Sequence, residues 1–350
     1  MKTSANVIVC CSKRPFCSVC PPAAETGSNP SDTVRLTDSL TAHFNMSVAS
    51  ARAFGQPFLD CGGIMRKFGV STALLTPFSG NGDIDTDRLG SHAINVLENG
   101  ADSVTLFGTT GEGASIGMSE RAAGIEALLT ASCPAEKIIL GIAANSVADA
   151  AQQVSEGRHY GISSYLLLPP FYFKGISDAG LFNWHLQLFQ MTDPAANFIL
   201  YHIPQVAGVG LTVSLVNRLA AAANGRVRAI KDSSGDWENA RSLLALGSVP
   251  VLVGDERILH KAVAKGASGA ITGMANLYPA RMKRIVETAT EDRVLSEEVT
   301  RIVSVPVVAA LKTVLATRLG DTEWERLRAP LTSLGSDARA LVLGSSAKVA

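Results

Sequence analysis

Cysteine is scarce where the chain would fold. Five of the six cysteines, Cys10, Cys11, Cys17, Cys20 and Cys61, precede residue 65, which leaves Cys133 alone in the body. A body with one cysteine has no disulfide framework, which fits a reducing compartment. Charge of either sign in excess is also missing, since 31 basic side chains balance 31 acidic ones. A neutral chain offers no electrostatic footprint for nucleic acid or an anionic membrane. No apolar run approaches the ~18 residues of a membrane span. A G-x-G-x-x-G turn is absent, and no Gly-Lys-Ser/Thr follows the glycine-rich segment, which argues against dinucleotide and phosphate loops. What remains is 47% hydrophobic and only 18% charged, the composition of a compact, soluble, enzyme-like protein expected in the cytoplasm.

Residues 1–64 differ from the rest. They lack sustained periodicity, and "CPPAAETGSNPSD" reads as loop or disorder. Acidic residues are absent until Glu25 while Lys2, Lys13 and Arg14 are basic, a partial match to an organelle transit peptide. "NVIVCC" is too short for a secretory core. Cys17-x-x-Cys20 has a metal or redox spacing, but no second ligand pair follows, so no metal is expected. Met65 opens "MRKFGVSTALLTPF" and reads as the natural start of the fold, with 1–64 an extension outside it.

From residue 69 short apolar runs alternate with helical patterns. The runs are "VSTALLTPF" (70–78), "DSVTLFG" (102–108), "KIILGI" (137–142), "SSYLLLPP" (163–170), "NFILYHIP" (197–204), "VRAIKD" (227–232), "VPVLVGD" (249–255) and "SGAITG" (268–273). They are β-branched, bounded by Gly, Pro, Asp or Ser, and mostly apolar throughout. Such strands are buried on both faces, as in a parallel sheet under helices. "TDRLGSHAINVLENG", "SERAAGIEALLTAS" and "SVADAAQQVSEGRHYG" read as intervening helices, the first stopped at Asn99-Gly100. Eight units predict an α/β fold, a (β/α)8 TIM barrel over residues 65–290, followed by a helical extension over 291–350.

Such a barrel carries its chemistry at the C-terminal ends of its strands. Lys231 falls there on strand six, Tyr201 on strand five, Thr109 and Thr110 after strand two, and Asp255 after strand seven. An isolated strand-end lysine is ordinarily solvated. Inside a barrel mouth, desolvation disfavours the ammonium form, and a neutral amine can add to a ketone. The protonated imine then stabilises a carbanion at the neighbouring carbon without a metal. In "FGTTGEG", exposed amides and two hydroxyls suit a small carboxylate. Glu112 is read there as a brace that accepts backbone amides. Tyr201 is placed to relay protons, whereas its neighbour His202 points to the opposite face. "PPFYFKG" (169–175) reads as a lid or an oligomer contact. Asp255 is read as a helix cap, and Arg257 is the one nearby guanidinium for a distal anionic group.

"GTTGE", "YHIP", "IKDSSGD" and "GAITGMAN", in this order, resemble the dihydrodipicolinate synthase / N-acetylneuraminate lyase family of class I, Schiff-base aldolases. The resemblance runs from about residue 68 to 335. It implies a barrel with a C-terminal helical extension, in dimers or tetramers. It also implies pyruvate, with an aldehyde or sugar acid, as substrates and no cofactor. By resemblance Lys231 forms the imine and Tyr201 shuttles the proton. Thr110, with Thr109, binds the pyruvate carboxylate and links the tyrosine to bulk proton exchange. Tyr172 matches a tyrosine that crosses to a neighbouring subunit, and Ile271 a position whose carbonyl faces the keto acid. One departure stands out. The synthases carry an arginine two residues after the proline of the "YHIP"-type motif, and here Val206 stands in its place. The resemblance therefore implies intact imine chemistry with an open choice of acceptor. A synthase, a sialic acid or 2-keto-3-deoxy sugar acid lyase, and a non-catalytic keto-acid-binding barrel remain the readings to separate.

Overall fold

The computed structural model describes residues 67–344. The expectations for residues 1–64, including the Cys17–Cys20 pair and the start at Met65, lie outside the described residues. Eight strands close into one parallel barrel in chain order: β1 (Gly69–Ala73), β2 (Ser103–Leu106), β3 (Ile138–Ile142), β4 (Ser164–Leu167), β5 (Asn197–His202), β6 (Val227–Asp232), β7 (Val251–Val253) and β8 (Gly269–Thr272). β8 pairs with β1, so no strand edge is left open. Seven of the eight strands lie inside their apolar runs, and β1 begins one residue before its run, at Gly69.

The first run outlasts its strand. The Leu74 amide still donates to Thr105 O of β2, but the Leu75 amide turns to the side chain of Asn276 at 3.0 Å, which ends the ladder. The rest of that run, through Phe78, is buried as irregular chain.

Helices α1 (Thr86–Glu98), α2 (Met118–Thr130), α3 (Val147–His159) and α4 (Asp178–Met191) follow the first four strands. A single turn, α5 (Pro204–Ala207), and then α6 (Val213–Ala222) follow β5. α7 (Trp237–Leu246), α8 (Glu256–Ala264) and α9 (Pro279–Thr288) complete the outer ring. α10 (Arg293–Val303), α11 (Val307–Leu319) and α12 (Ser336–Leu343) form the helical extension. Local chemistry sets the starts. Asp85, Ser146, Ser177, Thr212 and Asp292 each accept the backbone N–H three residues on, a cap contributing ~1 kcal/mol apiece. None of the described helices is long and apolar enough to cross a membrane.

The period-2 alternation of each strand divides the core in two. Ala73, Ile139, Leu166, Ile199, Tyr201, Ala229, Leu252 and Ile271 pack together inside the barrel. Their neighbours Leu74, Leu140, Leu167, Leu200 and Ile230 belong to the shell under the helices. Ser71 and Thr105 satisfy each other's hydroxyls within the core at 2.8 Å.

Two histidines are walled into the structure. His92 Nε2 lies 2.9 Å from the Asn276 side-chain oxygen, and His185 Nδ1 lies 2.7 Å from Leu181 O. Burial lowers both from 6.5 to about 4. The unfolded chain therefore binds more protons between those values, and stability falls as pH drops from about 6.5 towards 4. Unfolding free energies from urea titrations at pH 7 and pH 5 are expected to differ by ~1–2 kcal/mol for each histidine. His185→Phe, which keeps a ring against Phe189, should lose about half of that dependence.

Candidate active site

Lys231 and Tyr201 are opposite one another in adjacent strands. The register of β5 and β6 pairs Tyr201 with Lys231 and His202 with Asp232. A one-residue irregularity precedes this pairing: Phe198 faces Val227, yet Ile199 faces Ala229. It carries Ala229 and Lys231 to the inside of the barrel with Ile199 and Tyr201. Lys231 is 5% exposed and Tyr201 is 4% exposed. The Lys231 Nζ sits 4.2 Å from the centroid of the Tyr201 ring. The lysine stem packs against Gly254, just past the end of β7, where a Cβ would lie 3.2 Å from Lys231 Cε.

His202 faces outward, as alternation requires. It accepts the Leu211 amide on Nδ1 at 2.9 Å, and burial lowers its pKa against the opposing pull of Asp232 and Asp236. Asp232 is occupied in turn by the Ser234 amide and the Asn239 side chain, at 2.9 and 3.0 Å.

The segment "GTTGEG" supplies the third part. Thr109 Oγ1 lies 3.4 Å from the Tyr201 hydroxyl, long for a hydroxyl pair, as such contacts often are before substrate tightens them. Thr110 stands beside the end of β8, where a Cβ on Gly273 would meet its hydroxyl at 3.5 Å. Ile271, on the same strand, is fully buried in the barrel interior.

This turn holds strained backbone. Phe107 and Glu112 both occupy the left-handed region, at φ 59° and 56°, a cost of ~1–3 kcal/mol each for residues other than glycine. Gly113 lets the chain cross Phe107, since a Cβ there would stand 1.9 Å from Phe107 O. The Phe107 ring lies under the Arg121 guanidinium at 4.9 Å. Glu112 is locked by the C-terminal extension: Lys312 of α11 donates to its Oε1 at 2.5 Å, and the Arg328 amide to its Oε2 at 2.9 Å. Both side chains of the pair are fully buried. Lys312 also donates to Arg326 O at 2.6 Å and lies 4.5 Å from the Phe78 ring. Burial lowers the Lys312 pKa against the pull of Glu112.

Arg257 is held at the start of α8. Asp255 holds its Nε at 3.0 Å and its Nη2 at 2.6 Å, and Asp255 also accepts the Arg257 amide as the cap of α8. The guanidinium is thus paired with its own helix cap, on a side chain that is part-exposed. Tyr172 is 72% exposed beside Phe173, their rings 5.2 Å apart, and is not joined to Tyr201 within the chain.

A cavity of about 660 Å3 opens from Thr109 and Tyr201 towards solvent, and Val206, Val307 and Leu331 contribute to its wall. Lys231 is not itself on the wall; its nitrogen stacks on the Tyr201 ring, which is. The residues missed in the sequence are therefore those of the extension. A lone lysine inside the apolar run "VVAALKTVLA" was the available signal for a buried ion pair.

The sequence profile of the dihydrodipicolinate synthetase family matches residues 66–344. The chain belongs to this family. It is 32% identical, over 60% of its length and 71% of the relative, to an uncharacterised DapA-like lyase of Chloroflexus aurantiacus. It is 29% identical to a 4-hydroxy-tetrahydrodipicolinate synthase of Porphyromonas gingivalis, over 64% and 75% of the two chains. Among solved structures, the dihydrodipicolinate synthase of Agrobacterium tumefaciens superposes with a TM-score of 0.78 at 40% identity, covering 80% of this chain and 99% of that one. The Aquifex aeolicus enzyme gives 0.72 at 25% identity, covering 80% and 97%.

The buried pair gives a stability test. Lys312→Met strands the Glu112 carboxylate and is expected to cost ~3–5 kcal/mol in urea unfolding. Adding Glu112→Gln should recover part of that loss, because an amide tolerates burial better than an unpaired carboxylate.

Proposed function

We propose that the protein is a pyruvate-dependent class I aldolase or lyase, with Lys231 as the imine-forming amine. The observation that carries this is a cluster of three side chains: the buried Lys231 nitrogen 4.2 Å from the buried Tyr201 ring, and the part-buried Thr109 hydroxyl 3.4 Å from the Tyr201 phenol. The Lys231 amine adds to the C2 ketone of pyruvate and water leaves, forming a protonated imine. Loss of a proton from C3 gives the enamine. Tyr201 carries protons to and from these intermediates, and Thr109 hands them on. The enamine adds to an aldehyde, or the same steps run backwards as a retro-aldol cleavage. Water then releases the lysine.

The pyruvate carboxylate is assigned to the turn at Thr109 and Thr110. Among the described residues the Thr110 and Gly111 amides donate to no backbone acceptor, which suits a small anion. Ile271 offers its carbonyl from β8 to the keto acid. Tyr172 is assigned to a neighbouring subunit's relay in a dimer or tetramer, a role for which its exposed position is suited. Membership in the family supports each assignment.

Incubation with pyruvate and borohydride, followed by peptide mass spectrometry, is expected to find a reduced pyruvyl adduct on Lys231 alone. Lys231→Ala should give none. Tyr201→Phe should still be labelled but turn over ~10²–10⁴-fold more slowly, the usual contribution of a positioned acid–base group. Absence of the adduct from the native protein would leave a keto-acid-binding barrel instead.

A further inference from the structure

We infer that the acceptor for the pyruvate enamine is an uncharged aldehyde with an apolar tail, held in the cavity that opens from Tyr201 and Thr109. The inference rests on the imine reading and adds the class of the second substrate.

The wall decides the class. Leu166, Leu168, Phe171, Val206, Val307 and Leu331 present hydrocarbon to the cavity. Among the described residues none of those lining it is Lys, Arg or His. Glu112 is its one ionisable acid, and that carboxylate is taken by Lys312 and the Arg328 amide. The cations around the rim are also engaged. Lys174 donates to the carbonyls of Phe171 and Ala207, the latter at 2.8 Å. Arg328 donates to Glu120 and to the carbonyls of Gly82 and Ser115. A carboxylate entering here would give up its water and meet no counter-charge. A hydrocarbon tail would gain by the same exchange.

Apart from Glu112, the polar side chains of the wall are uncharged hydroxyls, those of Thr109, Ser115, Tyr201 and Thr332. The hydroxyls of Thr109 and Tyr201 mark the reacting end. At about 660 Å3 the cavity is sized for a drug-like molecule rather than for pyruvate alone. Part of its wall, Val307 and Leu331, comes from the helical extension, so specificity is set from outside the eight βα units.

The step is balanced without a further reactant. Enamine C3 attacks the aldehyde carbon, one carbon–carbon bond forms, and the carbonyl π bond becomes a hydroxyl that takes up the proton released from C3. Hydrolysis of the imine returns the water lost when it formed. The product is a 4-hydroxy-2-oxo acid bearing the apolar tail.

The test uses the full chain with pyruvate and three probes: hexanal, benzaldehyde and succinic semialdehyde. Pyruvate consumption and product mass are followed, and borohydride labelling with pyruvate alone is run in parallel. The expected result is a kcat/KM at least tenfold higher for hexanal or benzaldehyde than for succinic semialdehyde. Val206→Arg, an exposed substitution on the wall, should shift the ratio at least tenfold towards succinic semialdehyde while Lys231 labelling persists. A preference of the native protein for succinic semialdehyde, or no turnover of either uncharged aldehyde while Lys231 is labelled, overturns the apolar acceptor and leaves the imine reading intact. No labelling of Lys231 overturns the imine reading itself.

Discussion

The proposed chemistry depends on one register. Tyr201 and Lys231 reach the inside of the barrel together because β5 and β6 shift by one residue below them, between Phe198 and Ile199. Without that shift, the side-chain period of two would send Lys231 into the shell under the helices and bring Asp232 inward. The result is an amine with almost no contact with water, lying against the face of a phenol ring. Closure of the barrel fixes both strands from either side, so neither side chain can withdraw without disturbing a ladder. A pair of groups held this way meets the geometric requirement for acid–base work before any substrate arrives.

The turn that faces them is held by different means. Its backbone is strained at Phe107 and Glu112, and strain of this kind persists only where the surroundings over-determine it. Here the surroundings are the helical extension. Lys312 and the Arg328 amide grip the Glu112 carboxylate from α11 and the segment after it. The extension therefore does two jobs. It fixes the threonine turn beside Tyr201, and it walls the cavity through Val307 and Leu331. A buried ion pair adds little net stability over a hydrocarbon replacement, but it orients both partners, and orientation is what the Thr109–Tyr201 contact requires.

Much of this was legible in the chain. Continuous β-branched runs bounded by Gly, Pro and Asp marked the eight strands, and their alternation with helical patterns gave the barrel. The alternation rule also placed His202 outside. What stayed hidden has a common cause, namely that it depends on long-range partners. Glu112 read as a brace for amides, and it is one, but its main partner lies 200 residues away on α11. Asn276 was only the end of a motif. In the structure it ties β1 to the loop after β8 through the Leu75 amide and the Ala73 and Gly273 carbonyls.

The same distinction separates reaction from specificity in this fold. Lys231 and Tyr201, the amine and phenol of the proposed reaction, sit on strands, where a single step in register turns a side chain out of the barrel. The cavity wall is assembled in part from the end of β4, the turn α5 and the extension, where side chains can change without disturbing a ladder. A valine at position 206 alters no backbone hydrogen bond, and yet it removes the position from which a cation would face the cavity. On the proposed reading, imine chemistry and acceptor choice can diverge within one family, because the first would be written into the barrel and the second into its rim.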